Sequence, residues 1–206
     1  MRSALLLLRL FAFAPSVAVA ADDWPQFRGP TGQGHATATG LPTEWNGGKN
    51  VAWKTELPGQ GWSSPVILGE QIWLTTATEE GKSLRALCID RNTGMLLHNV
   101  EVFRLSEALP ANPKNTHASP TPVIEPGRVY VSFGSAGTAC LDTQTGQTLW
   151  ADQSHVVDHK EGPGSSPILW KDKLILNFDG RDLRYVVAFN KQTGKVDWQA
   201  DRSSPL

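Results

Sequence analysis

Apolar positions in this chain come in short runs separated by turn-forming residues, and the runs fall into matching sets. Residues 120–124, 129–133, 138–141 and 147–151 form one such set. Pro126-Gly127 separates its first two runs, and Gly134 with Gly137 separates the next two. On either side, residues 71–76 match 173–178, and 84–89 match 185–189. Short runs bounded by Gly and Pro predict β-strands joined by tight turns. Several runs are apolar at both odd and even positions, so both faces of each sheet are expected to be buried.

The sets recur as a repeat. One unit runs from Ser63-Ser64-Pro65-Val66 to Asp90-Arg91-Asn92-Thr93-Gly94, the next from Ala118-Ser119-Pro120 to Asp142-Thr143-Gln144-Thr145-Gly146, and the third from Ser165-Ser166-Pro167-Ile168 to Asn190-Lys191-Gln192-Thr193-Gly194. The glycines are spaced by 52 and 48 residues. A period of about fifty fits the four-stranded blade of a β-propeller. Asp90, Asp142 and Asn190 suit the turn between third and fourth strands because their side chains bond backbone N–H groups two residues on, while Gly94, Gly146 and Gly194 adopt positive φ cheaply. Four residues after each glycine a large side chain is expected to cover the seam between blades. Trp150 and Trp198 fill that position, and His98 takes it in the first unit.

The fold class is therefore all-β: a partial β-propeller of about three four-stranded antiparallel blades, at residues 61–102, 117–153 and 163–200. An extended segment, 21–60, precedes them. Within it Val51-Ala52-Trp53-Lys54-Thr55 reads as an isolated outer strand over 51–57, of the kind that closes a ring. Propellers use about four to eight blades, so the chain is expected to be a truncated product or fragment, with open blade faces that invite self-association. Residues 1–20 read as a signal peptide: basic Arg2, an apolar stretch interrupted by Arg9, and small residues Ala18-Val19-Ala20 at the cleavage position. Residues 21–206 would then be exported to a periplasmic or extracellular location, with no transmembrane span after cleavage.

Composition changes this picture little. A net charge of −1 gives no reason to expect nucleic acid or an anionic membrane as partner. The two cysteines, Cys88 and Cys140, stand two residues before the turn Asp in successive blades. Packed sheets lie ~10 Å apart and a disulfide needs Cα atoms within about 7 Å, so two buried thiols without a bridge are expected.

The run from Cys140 through Asp142, Thr145 and Gly146 to Trp150 resembles the Ala-x-Asp-x-x-Thr-Gly-x-x-x-Trp repeat of the pyrroloquinoline-quinone (PQQ) superfamily, with Cys in the Ala position. Ala188 to Trp198 resembles it with Asn190 in place of Asp, and Leu87 to His98 less closely. The opening Asp23-Trp24-Pro25-Gln26-Phe27-Arg28-Gly29-Pro30 is similar to the start of secreted PQQ-like propellers of planctomycete-type bacteria. The resemblance implies fold more than function, since the family includes quinone-dependent alcohol dehydrogenases and also the non-enzymatic scaffold propeller of the outer-membrane β-barrel assembly machinery. A dehydrogenase of this type needs an axial quinone pocket, Ca²⁺ held by Glu, Asn and Asp oxygens, and an Asp base. No such trio maps onto this chain, and no adjacent Cys-Cys pair is present. PQQ and calcium follow from the resemblance alone, and no catalytic, cofactor-binding or metal-ligating residue is assigned.

Other constellations are weaker. His155, Asp158, His159 and Glu161 lie in one connection, expected to be a solvated loop. His117 precedes an inner strand and faces the axial mouth on this reading. Asp179-Gly180-Arg181-Asp182 reads as an exposed hairpin turn. Gly29 to Gly34 is Gly-rich but lacks the strand and Lys of a phosphate loop. Trp62 is expected to pack on a neighbouring blade or on the N-terminal segment with Trp24 and Arg28, although an exposed Trp there would offer a stacking surface. No Gly-x-Ser-x-Gly elbow occurs. The leading expectation is an exported, non-catalytic binding or scaffold module for a protein or polymer. A fragment of a PQQ-dependent alcohol or sugar oxidoreductase is the alternative, and a blade set without independent activity the third.

Overall fold

The computed structural model describes residues 23–202. The signal-peptide reading of residues 1–20 lies outside them. Twelve strands among the described residues form three four-stranded antiparallel sheets, each in simple sequential order. Blade one comprises β1 (Val66–Leu68), β2 (Gln71–Thr78), β3 (Ser83–Asp90) and β4 (Leu96–Arg104). Blade two comprises β5 (Val123–Glu125), β6 (Arg128–Ser132), β7 (Thr138–Asp142) and β8 (Thr148–Asp152). Blade three comprises β9 (Ile168–Trp170), β10 (Lys173–Asp179), β11 (Arg184–Asn190) and β12 (Val196–Asp201). No helix among the described residues is long and apolar enough to cross a membrane.

The side-chain alternation of blade two shows why its strands are apolar on both faces. Val129 and Val131 of β6, with Ala139 and Leu141 of β7, join Val66, Trp73, Leu84, Ala86 and Cys88 of blade one in one buried cluster. Tyr130 and Cys140, the intervening residues, join Leu174, Leu176, Val187 and Phe189 of blade three in another. Successive strand residues point to opposite faces, so one strand seals two seams. Burying a Leu such as Leu174 or Leu176 contributes ~1.5–3 kcal/mol. Both thiols lie in these seams. Cys88 and Cys140 are free and buried, and burial pushes them up to about 12 and about 11.

The ladder between third and fourth strands shifts register at the same place in each blade: Cys88/Ile89, Cys140/Leu141 and Ala188/Phe189. The shift immediately precedes the turn Asx, so the repeat encodes a bulge as well as a turn. At the inner ends the blades are cross-linked by hydroxyls. Ser64 N–H donates to Thr121 Oγ1 at 3.0 Å, and Thr121 N–H donates to Ser166 Oγ at 3.0 Å.

The N-terminal segment departs from expectation. Residues 51–57 form no strand. A strand needs a backbone ladder, and this stretch is held instead by side chains: Trp53 Nε1–H donates to Arg91 O at 2.9 Å, and Thr55 Oγ1–H to Gly94 O at 2.5 Å. Farther upstream, Trp24 pairs through its backbone with Ile67 at 2.8 and 2.9 Å, and Ile124 N–H donates to Pro25 O at 2.9 Å. The segment that begins Asp23-Trp24-Pro25 thus clasps the inner strands of blades one and two.

Candidate functional site

The repeat residues build the seams. Asp90 Oδ1 accepts from Asn92 N–H at 3.0 Å, Thr93 N–H at 2.7 Å and the Thr93 hydroxyl at 2.8 Å. Asp142 accepts from Gln144, Thr145 and the Thr145 hydroxyl at 2.9, 2.7 and 2.9 Å. Asn190 does the same at 3.1, 3.1 and 3.2 Å. These bonds favour the ionised acid. The Thr93 hydroxyl and N–H hold Asp90 below the usual carboxylate range, and the Thr145 N–H and hydroxyl do so for Asp142. Gly94, Gly146 and Gly194 have φ of 74°, 73° and 71°.

Each turn receives an aromatic side chain from the preceding unit. The Trp150 ring lies against Gly194, and its Nε1–H donates to Lys191 O at 2.9 Å. Trp53 lies against Gly94 in the same way, with Arg91 O as acceptor. At the middle turn His98 lies over Gly146 and stacks on Trp73 at 5.6 Å. An imidazole there does not take the turn carbonyl, and Gln71 supplies the missing donor: its Nε2–H reaches Thr143 O at 2.8 Å. Sequence reading missed Gln71. Its one signal is position, as the residue that opens β2 in the unit lacking the Trp. Trp198 covers no described turn and is 43% exposed.

The connections between blades and the turns between second and third strands lie at one end of the sheets, and two clefts open there. The blade-one cleft has a volume of about 640 Å³. It lies among Gly59-Gln60, the end of β2, the Glu79–Gly81 turn and residues 111–117. The blade-three cleft, about 580 Å³, lies between residues 158–162 and the β10–β11 hairpin. Lys160, Arg181, Arg184 and Arg202 line the second cleft, and no Lys or Arg lines the first. Arg181 pairs with Asp158 at 2.6 Å, and Arg202 with Asp179 at 2.8 Å.

Two expectations need correcting here. The connection bearing His155 and His159 is a loop with Asp158, Lys160 and Glu161 exposed, but its two imidazole rings are half-buried. His155 packs on Phe178, Tyr185 and Phe189 at ring distances of 5.3, 5.7 and 5.1 Å, and its Nδ1 meets the Tyr185 hydroxyl at 3.1 Å. His159 fits against Gly134, a position with φ of 59° where a side chain would collide with it and with Pro163. Burial lowers the pKa of both rings, opposed at His155 by Asp152, and the Nε2 atoms of both are buried without a hydrogen-bond partner among the described residues. An aromatic seam takes in the His155 ring because a neutral imidazole packs like a small aromatic, whereas His159 fills the space left by Gly134. Trp62, expected to pack, is 62% exposed. Its backbone and that of Ser63 both donate to Ala118 O, so Ser63 and Ser64 enter the seam and the indole is left outside.

The remaining candidates settle as follows. His117 lies across Gly81 with Nε2 at 2.7 Å from Leu109 O. The Asp179–Asp182 turn is exposed but tethered, since Asp182 Oδ1 accepts from Asp158 N–H at 2.7 Å. Trp24 lies against Gly29, and Gly34 N–H donates to Arg28 O at 2.8 Å, so the Gly-rich stretch folds on itself.

The family model described as outer membrane protein assembly factor BamB, PQQ_2, matches residues 35–155 and 85–206. The chain belongs to this PQQ-like propeller family. No curated protein sequence matches it. Among solved structures, the quinohemoprotein alcohol dehydrogenase from Comamonas testosteroni is similar with a TM-score of 0.63 and 18% identity, over 91% of this chain and 29% of that one. A europium-containing methanol dehydrogenase gives 0.55 and 16%, over 76% and 27%. The quinohemoprotein alcohol dehydrogenase ADHIIG from Pseudomonas putida HK5 gives 0.51 and 19%, over 72% and 22%. This PQQ_2 chain spans less than a third of the length of these structures, and at such identities the likeness is one of fold. Among the described residues there is no group of three or more His, Cys, Asp or Glu placed to hold a metal ion. No chemical step is derived through one.

Proposed function

We propose that the chain is an exported, non-catalytic binding or scaffold module that presents the connection-bearing end of its blades to a protein or polymer. The observation that carries this reading is the division of labour between the two parts of each repeat. The motif residues Asp90, Thr93, Asp142, Thr145, Asn190 and Thr193 spend their hydrogen-bonding capacity inside the turns, while other polar and charged residues gather in two loop-walled clefts. The description of the matching family model, an outer-membrane protein assembly factor, agrees with it. Export follows from the signal-peptide reading, with mature chain beginning near Ala21. The outward face of blade three, with Ile168, Trp170 and Trp198 all 43–56% exposed, supports self-association.

The test is addition of PQQ and Ca²⁺ to the purified chain, followed by quinone absorbance and dye-linked alcohol and sugar oxidation. Neither signal is expected. Quinone uptake with turnover would replace this reading with the oxidoreductase one. Terminal sequencing of the secreted protein is expected to begin near Ala21, and retention of residues 1–20 in the cell would remove the export step.

A further inference from the structure

The blade-one cleft carries a set of hydrogen-bonding groups that the fold leaves unused. Part of its wall is satisfied internally. Glu79 is paired by Arg104 at 2.6 Å. Asn112 Nδ2 donates to Glu161, and Asn115 Nδ2 donates to Glu161 O at 2.7 Å. Four groups lining the same cleft engage no partner among the described residues: the Gln60 amide, the Thr78 hydroxyl, the Glu80 carboxylate and His117 Nδ1. His117 Nε2 faces a carbonyl, which only accepts, so Nε2 carries the proton and Nδ1 is left as an acceptor. The groups are held by backbone rather than by chance. Gln60 is fixed by two backbone bonds to Ala77 at 2.9 and 2.8 Å. Glu79 and Glu80 stand in the left-handed region with φ of 51° and 57°, and Gly81 at φ 95° lets the His117 ring lie directly on the turn.

The chemistry of the set selects a ligand class. One amide and one hydroxyl both donate and accept, while a carboxylate and an imidazole nitrogen only accept. The complement is a neutral molecule with several O–H groups, each a donor and an acceptor. An anion finds no lining cation, in contrast to the blade-three cleft with its four. A hydrocarbon would strand every polar group. The volume of about 640 Å³ lies within the usual range of small-ligand sites. Trp62, two residues along the chain from Gln60, is exposed and anchored through its backbone at Ala118, the neighbour of His117, and an indole face suits the C–H face of a sugar ring.

We infer that this cleft binds a neutral saccharide through Gln60, Thr78, Glu80 and His117. This deepens the binding-module reading and rests on it, with a glycan as the polymer. The test is calorimetric titration of the full chain with maltohexaose, cellohexaose and mannohexaose, with hexalysine and inorganic phosphate as cationic and anionic comparators. Binding of at least one neutral hexasaccharide is expected. Gln60→Ala should weaken it three- to tenfold and Glu80→Gly at least tenfold, as lost neutral and charged hydrogen bonds do. Glu80→Gly relieves a left-handed residue, so it should not lower thermal stability, which separates loss of ligand from loss of fold. Arg181→Ala, in the other cleft, should leave the affinity unchanged. The inference is overturned if no hexasaccharide binds, if binding ignores the Gln60 and Glu80 changes, or if hexalysine or phosphate binds more tightly. Recovery of the sugar after incubation with PQQ and Ca²⁺ distinguishes the two readings. A bound sugar that returns oxidised defeats the non-catalytic reading and leaves the cleft standing. No sugar binding and no quinone uptake defeats the cleft alone.

Discussion

Blades two and three carry nearly the same motif in different surroundings. Trp150 ends the motif of blade two, rests on Gly194 and donates to Lys191 O. Trp198 ends the motif of blade three and stands 43% exposed. The strands of blade two face a buried cluster on each side, whereas on blade three Ile168 and Trp170 are 50% and 56% exposed. A motif therefore encodes where a side chain goes, but its contribution to stability comes from the neighbour that receives it.

Four measurements test this contrast. The largest effect is expected from the two tryptophans: Trp150→Ala should cost about 3 kcal/mol in denaturant unfolding, while Trp198→Ala should stay under about 1 kcal/mol. Equal losses would show that the two sites are energetically alike and that blade three is covered in solution. Gly194→Ala comes next, at roughly 2 kcal/mol, because it combines a positive φ with a collision against the Trp150 ring. The same change at Gly127, where φ is 80° but nothing lies within 4 Å, should show the backbone part alone, about 1 kcal/mol. Asn190→Ala should cost about 1 kcal/mol through three lost turn bonds that water partly replaces. A neutral result would leave the turn to Gly194 and Thr193.

The smallest effect is a pH dependence confined to the seam between blades two and three. Burial lowers His155 and His159, so the unfolded chain binds their protons more readily than the folded one. Their contribution is complete above about pH 6.5 and is lost as pH falls through the lowered folded values. Asp90 and Asp142, also lowered, matter only once pH drops below about 4. Denaturant midpoints should thus fall between pH 7.5 and 5.5, and His155→Phe with His159→Gln should flatten that slope. A slope unchanged in the double variant would locate the titration elsewhere.

Much of the fold was legible because its determinants are local. The Asx-x-x-Thr-Gly turn closes within five residues, and the two-faced apolar strands state that each sheet is covered twice. The strands expected at 129–133, 138–141 and 147–151 differ from β6, β7 and β8 by one residue at most at each end. Less was legible where a residue's role depends on a partner far along the chain. Gln71 reads as an ordinary strand residue until Thr143, seventy-two positions away, brings it into the seam. Trp53 was placed in a strand by the run Val51-Ala52-Trp53-Lys54-Thr55, yet what holds it is the Arg91 carbonyl of blade one. His155 looked solvent-facing because polarity in sequence says nothing about an aromatic pocket built from Phe178, Tyr185 and Phe189, and His159 because nothing in sequence pairs it with Gly134.

The clefts show the same limit at the scale of a site. Gln60, Thr78, Glu80 and His117 share no spacing that a motif would reveal, because their proximity arises from three separate loops meeting at one end of the blades. By itself the sequence determined the repeat, the turn chemistry and the need for sheet-on-sheet burial, since each depends on residues within a few positions of one another. Tertiary structure alone decided which tryptophan is covered, which histidine rings are drawn in from solvent and which polar groups remain unpaired, because those follow from contacts between chain segments that only the packed blades bring together.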